Sequence, residues 1–594
     1  MNTDIENLFE DKVLGHPAGL FVLFFTEMWE RFSFYGMRVL LVNFLTMAIV
    51  GVDNPGWGWS AENAGALFGT YAMLLYITPI IGGVVADKFT GYRWAVVIGS
   101  LIMTLGHAAM AFETELSMYA GLGLLVVGTG FFKPNITSII SEMYKKNPEK
   151  KDGAYTIFYM GVNAGAFFGM LLCGYLAEKV GWHYGFGLAG VFMLLGTLQF
   201  WMSGSLFGSI GAKPSLVYEV EIPQNINEEY PEKRIKDTGN NEQLNPFTFL
   251  DKILIVISSV LGLGYALNDP ISKIAGFDMF SSLKVGGLEG QYFAVLLALG
   301  AFLFLVATRI SRYTKIIRDR MIAFIIFAFF TVFFWMSFEQ GASSLVLFAR
   351  DNVDRVLTGD TALIFNIING LITVIPLAII TYVLFILWNK TFKKIPGSNI
   401  VLVICFTLMW GIAIWMLDRE FSSDISEITV SWFSVLNSFF IIAFASLFSK
   451  WWESKYNPSV TGKYALGLII MALGFGLLAF GAYGIKEGVK VSMIWLILAY
   501  LLHTLGELCL SPVGLSYVSK LVPARMIAFM FGMWYLAIAI GNKIAAVIGG
   551  QIENIAKEYS LSTFFLIFTI VPIIAALVIL ALGPVIRKLM HGVK

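Results

Sequence analysis

Glu27-Met-Trp-Glu30-Arg31-Phe-Ser-Phe34-Tyr35-Gly-Met-Arg38 is the stretch on which the reading of this chain turns. It lies in an apolar segment from about Leu20 to Val50, long enough to cross a bilayer at about 1.5 Å per residue. Four charges in a spanning helix need a reason, since one Asp, Lys or Arg at its centre costs about 2.5–3.5 kcal/mol on insertion scales. Glu27, Glu30, Arg31, Phe34, Tyr35 and Arg38 follow i, i+3, i+4, i+7, i+8, i+11, and so share one helical face. That face cannot be presented to lipid and must line a polar cavity or meet other helices. A structural ion pair between Glu27 and Arg31 would explain two of the charges. Packing alone does not need two Glu, two Arg and a Tyr on one stripe.

Composition agrees with a membrane setting. Of 594 residues 57% are hydrophobic and 14% charged, and mean hydropathy is +0.75; soluble domains run near 25% charged. A net charge of +1 argues against a nucleic-acid partner. Cys173, Cys405 and Cys509 lie in apolar segments without metal spacing and read as small buried hydrophobes. The first dozen residues are polar and acidic, with no visible signal peptide.

Apolar segments of spanning length follow one another, about sixteen in all by the ~20-residue criterion. Residues 1–207 hold six of them and read as an N-terminal six-helix bundle. A polar stretch, 208–250, reads as a cytoplasmic linker, and 251–312 as two accessory helices between the halves. The first helix of a C-terminal bundle is expected over 318–350, a helical hairpin over 361–417, and five further helices over 429–594. With the N-terminus inside, Lys145, Lys146, Lys150, Lys151, Arg309, Arg312, Lys390, Lys393 and Lys394 all fall on the cytoplasmic side. Roughly three times as many Lys and Arg lie inside as outside, as the positive-inside rule requires. Both termini are therefore expected in the cytoplasm.

Beyond the first helix, charges within spans are few. Lys133 follows Gly128-Thr-Gly130-Phe-Phe and precedes Pro134, where glycines permit close packing. Snorkelling to the interface is the alternative to a cavity role for it. Tyr159 and Asn163 lie one turn apart, and Tyr76 precedes Thr78-Pro79. In the second half Trp335 and Glu339 share a face, Asn437 follows Trp432-Phe433, and Glu507 stands one turn before Ser511. Trp534 and Tyr535 supply a second aromatic wall, and His503 reads as a structural histidine. The first half thus contributes Arg31, Arg38 and Lys133, and the second Glu339 and Glu507. A cationic wall facing an anionic one suits a zwitterion.

Six spans, a linker and a second set of spans resemble the two-half layout of the major facilitator superfamily. The motifs resemble the proton-dependent oligopeptide transporters within it. Glu27-x-x-Glu30-Arg31-Phe32-x-Phe34-Tyr35 is similar to the family's first-helix motif, with Phe34 where a tyrosine is usual. Phe132-Lys133-Pro134-Asn135, Phe158-Tyr159-Met160-x-x-Asn163-x-Gly165, Phe334-Trp335-x-x-Phe338-Glu339-Gln340 and Gly506-Glu507 through Ser516 resemble the fourth, fifth, seventh and tenth. The eighth-helix motif is matched by Trp432-Phe433-Ser434-Val-Leu-Asn437, so 361–417 reads as an insertion; were it placed otherwise, Asn369 would replace Asn437.

The resemblance implies an all-helical symporter that imports di- and tripeptides with protons by alternating access, in a bacterial cytoplasmic membrane, as a monomer in lipid without a cofactor or metal. The peptide carboxylate would meet Arg31, Arg38, Lys133 and Tyr35, and the amine Glu507. Asn163 and Asn437 would hold peptide-bond groups, with Tyr76, Tyr159 and Ser511 also lining the site. Trp335, Trp534 and Tyr535 would shape side-chain pockets, and Glu27, Glu30 and Glu339, with Arg31, would couple protons. A transporter of another anion such as nitrate, a membrane-embedded enzyme and a non-transporting receptor are the rivals. No His-Glu-x-x-His or Gly-x-Ser-x-Gly motif supports the enzyme.

Overall fold

The computed structural model describes residues 11–213, 245–284, 286–485, 488–521 and 527–593. The first six long helices are α1 (Ala18–Thr46), α2 (Ala61–Val85), α3 (Tyr92–Met110), α4 (Glu115–Met143), α5 (Lys151–Lys179) and α6 (Trp182–Trp201). Two more, α7 (Phe249–Ala275) and α8 (Gly290–Ser311), precede α9 (Lys315–Phe338). Then come α10 (Gly359–Thr391), α11 (Pro396–Phe421), α12 (Val430–Glu453), α13 (Val460–Gly481), α14 (Ile494–Leu521), α15 (Ile527–Gly549) and α16 (Leu561–Ala581). Among the described residues fourteen helices are long and apolar enough to cross a membrane. The charge-bearing α1 and α14, apolar over Ile494–Leu510, are the two other long helices. The chain is an all-helical integral membrane protein. Of the linker expected over 208–250, residues 214–244 lie outside the described residues.

Local chemistry fixes the helix starts. Ser60, Ser459 and Ser560 accept from the backbone N–H three residues on, while Thr114 with Ser117 and Thr248 with Asp251 form reciprocal caps. Helix α1 is buried along nearly its whole length; in its central part only Phe34, Tyr35 and Arg38 are less than fully buried.

What presses α5 onto α1 is a stripe of small residues. A Cβ added at Gly161, Gly165 or Gly169 would come within 2.8, 2.2 and 2.2 Å of the carbonyl oxygens of Phe24, Met28 and Phe32. No side chain fits there, so the two backbones touch at every turn. The same device joins α13 to α14, where Gly467 and Gly506 lie against each other's carbonyl oxygens. Helix α1 is thereby held on one side and Glu507 on the other.

The two halves meet along two seams, α2 against α15 and α5 against α12. The hairpin α7–α8 packs beside α2, and the hairpin α10–α11 packs its second helix on α6. Phe406 of α11 sits edge-on to Phe25 and Trp29 of α1, at ring separations of 5.6 and 5.7 Å. A two-stranded antiparallel ribbon, Val356–Thr358 with Ile425–Glu427, closes the base of α10–α11. The hairpin therefore leaves its entry and exit points adjacent. Helix α9 ends at Phe338 and tightens into a 3₁₀ turn over Glu339–Ala342; the Glu339 amide still bonds the Trp335 carbonyl, so the two residues stay one helical turn apart.

Candidate functional site

The site is built from α1 outward. Arg31 Nε lies 2.8 Å from Glu27 Oε1 and 2.5 Å from Glu30 Oε2, and all three side chains are buried. One guanidinium thus serves two carboxylates on its own helix. Glu27 Oε2, Glu30 Oε1 and Arg31 Nη2 make no hydrogen bond among the described residues. The cluster keeps unused donor and acceptor capacity in a place where orphaned polar groups are costly.

Lys133 comes from α4, beside Pro134. Its ammonium stands 4.7 Å from the centre of the Tyr76 ring and has no carboxylate within ion-pair distance among the described residues. The charges of Arg31, Glu30, Glu27 and Arg38 all reach it. Arg31 and Arg38 flank the Phe34 ring at 5.3 and 6.0 Å, and Arg38 is 5.8 Å from that of Tyr35. At the far end of this stripe Arg38 bonds Glu339, a side-chain contact between the halves.

The opposite wall belongs to α12 and α14. Asn437 Nδ2 donates to Glu507 Oε2 at 3.0 Å and to Thr504 Oγ1 at 3.1 Å. Glu507 has no cationic partner within ion-pair distance among the described residues, although the charges of Glu339 and Arg38 reach it across the gap. Tyr35 on the first wall and Tyr159 on α5 both feel the charge of Glu507. Tyr159 is 48% exposed in mid-helix, whereas Asn163 one turn on is buried and donates to the Tyr159 carbonyl at 3.0 Å. Tyr535 reaches Tyr76, ring to ring at 6.1 Å.

Most of the expected residues are thus brought together, but not all. Trp534 is buried in the second half against Phe324, at 6.2 Å. Trp335 packs edge-on to Phe334 and Phe338. Asn369 accepts from the Trp432 indole at 3.1 Å and so ties the hairpin to α12, whereas Asn437 faces Glu507. His503 stacks on Phe475 at 4.3 Å, deep in the second half. The Ser511 side chain lies outside the described residues.

Three intramembrane charges escape a reading by motif. Lys543 on α15 pairs with Asp269 on α7 at 2.5 Å, and Glu178 on α5 accepts from the first amides of α12 at 2.7 and 2.9 Å. Their signal was present as ionisable residues within apolar spans, but their partners stand on helices far away in sequence.

The model of the POT family matches residues 93–273 and 406–567, more than half of the chain. The peptide transporter YePEPT of Yersinia enterocolitica is 30% identical over 97% of this chain and 96% of its own length. The di-/tripeptide transporter of Lactococcus lactis subsp. cremoris is 27% identical over 99% of both chains. A crystal structure of a peptide transporter POT in complex with sulfate superposes with a TM-score of 0.69 at 28% identity, covering 100% of this chain and 99% of its own. A POT family transporter in complex with 5-aminolevulinic acid gives 0.68 at 25% identity, covering 98% and 100%. These relatives are transporters, which removes the membrane-embedded enzyme as a reading. The chain belongs to the POT family of peptide transporters, within the major facilitator superfamily.

Proposed function

We propose that this transporter carries di- and tripeptides inward together with protons, alternating access to a site between its halves. The observation that carries the reading is the pair of opposed, unneutralised charges. Lys133 faces the cavity from the first half with a tyrosine ring against it, and Glu507 faces it from the second with the neutral amide of Asn437 as its donor. A free peptide presents a carboxylate and an ammonium at its two ends, which matches that polarity. In this reading the carboxylate meets Lys133 and Arg31 beside Tyr35, the amine meets Glu507, and Asn163 and Asn437 hold peptide-bond groups. Glu27 and Glu30 exchange a proton for their hold on Arg31, freeing the guanidinium for the substrate. The Arg38–Glu339 bond closes the outer side while the cavity opens inward, and protonating Glu339 releases it. The names of the relatives, a peptide transporter and a di-/tripeptide transporter, support the substrate class.

Uptake of labelled dialanine into proteoliposomes tests this directly. Accumulation above the external concentration is expected with an inward proton gradient, and equilibration only without one. Accumulation that ignores the gradient would remove the proton from the scheme, and no uptake of any di- or tripeptide would remove the substrate.

A further inference from the structure

Away from the peptide site, the α2–α15 seam contains an ion pair that joins three separate parts of the molecule. Lys543 of α15 places its ammonium 2.5 Å from Asp269 Oδ2 of α7, 2.9 Å from Thr70 Oγ1 and 3.3 Å from the Ala66 carbonyl, both on α2. An ammonium has three donors, and here each has one acceptor. Thr70 spends its own hydroxyl proton on the Ala266 carbonyl of α7, at 2.6 Å, while accepting from Lys543. Asp269 Oδ1 holds Lys273 at 3.1 Å, and Lys273 reaches Glu62 of α2 at 3.2 Å. Lys543, Asp269 and Thr70 are all buried. The backbones around them are in contact: a Cβ at Gly65 would lie 2.7 Å from the Ala546 carbonyl, and one at Gly69 2.5 Å from the Ala546 methyl.

We infer that Lys543 is a positioning residue of the transport cycle. Its ammonium latches the outer ends of α2 and α15, with Asp269 on the accessory helix α7 as counter-charge. The reason lies in where the bonds run. Helices within each half are joined by glycine and apolar packing, which survives when the halves rock. Lys543 bonds the first half from the second, so any movement that opens the outer face must strip it from Thr70 and Ala66. Asp269 pairs the charge in the closed seam, where a lone buried lysine would be costly. Helix α7 is then a working part of the seam. The inference rests on the alternating-access reading but not on peptide or proton as cargo.

Distances across the outer face test it. Spin labels at Val52→Cys and Tyr483→Cys, both exposed and on loops of opposite halves, report outer closure. The three native cysteines are buried and escape labelling. In nanodiscs, Lys543→Met should raise the ratio of long to short distances on the order of tenfold, as expected for losing hydrogen bonds to a charged group. Lys543→Arg, which restores the charge, should return it close to the starting value. Thr70→Val, nearly isosteric, should move it in the same direction by a smaller factor and decides the matter if Lys543→Met does not fold. An unchanged distribution in either folded variant would overturn the latch. The distances are read without peptide or gradient, so a failure of peptide uptake would leave this result standing.

Discussion

The two walls of the cavity hold charge by different means. On the first, Glu27 and Glu30 share one guanidinium within 2.8 Å, so their state depends on each other and on Arg31. On the second, Glu507 accepts from the side-chain amide of Asn437, which does not titrate and is itself held by the Thr504 hydroxyl. A cluster in which two acids compete for one base responds to a single proton by releasing a cation. A carboxylate held by neutral donors stays where it is and keeps its bond geometry. In the proposed cycle the first wall couples and the second recognises, and each is anchored by a glycine contact. The glycine stripe of α5 pins α1 backbone to backbone, while the Gly467–Gly506 contact fixes Glu507 from beneath.

The largest effect is expected where coupling is concentrated. Glu30→Gln should abolish gradient-driven accumulation of dialanine while peptide counterflow remains measurable; normal accumulation would show that the two walls do not differ in this way. Next comes the bond that ties the first wall to the second half. Glu339→Gln leaves Arg38 with a neutral partner, and uptake should fall on the order of tenfold, consistent with a lost charge-assisted hydrogen bond. Dialanine binding, read by thermal shift, should change by only about twofold if the bond gates rather than recognises. Equal losses in both would make Glu339 part of the recognition wall. The smallest effect sharpens the second wall. Asn437→Ala should raise the peptide KM about 2- to 10-fold, the worth of one neutral hydrogen bond. Asn369→Ala, which only frees the Trp432 indole, should leave KM unchanged; the reverse pattern would exchange the roles of the two residues.

Much of this arrangement is legible in the sequence because it is local. The Glu27–Arg31 contact follows from i, i+4 spacing on a single helix, and the glycines of Gly161-x-x-x-Gly165-x-x-x-Gly169 announce a close helix contact without naming the partner. What spacing does not give is direction within a span that is apolar all round. Trp534 and Tyr535 are neighbours in sequence, yet one packs against Phe324 and the other reaches Tyr76. Asn437 is preferred to Asn369 on its Trp432-Phe433 motif, but that Asn437 lies against Glu507 and Asn369 against the Trp432 indole is visible only in the fold. Lys543, Asp269 and Glu178 stand out as charges in apolar segments, but each is bonded to a helix that only the fold brings alongside.

The polarity of the cavity is the centre of the account, and blocking one end of the peptide at a time measures it most directly. Competition by dialanine, its N-acetyl form and its C-terminal amide should be compared in the native protein, in Glu507→Gln and in Lys133→Gln. In the native protein either modification should weaken competition, by roughly 10- to 150-fold for a lost hydrogen bond to a charged group. Glu507→Gln should lose its discrimination against N-acetylation and keep that against amidation, and Lys133→Gln should do the opposite. Equal sensitivity of both variants to both modifications would contradict a peptide held amine to the second half and carboxylate to the first.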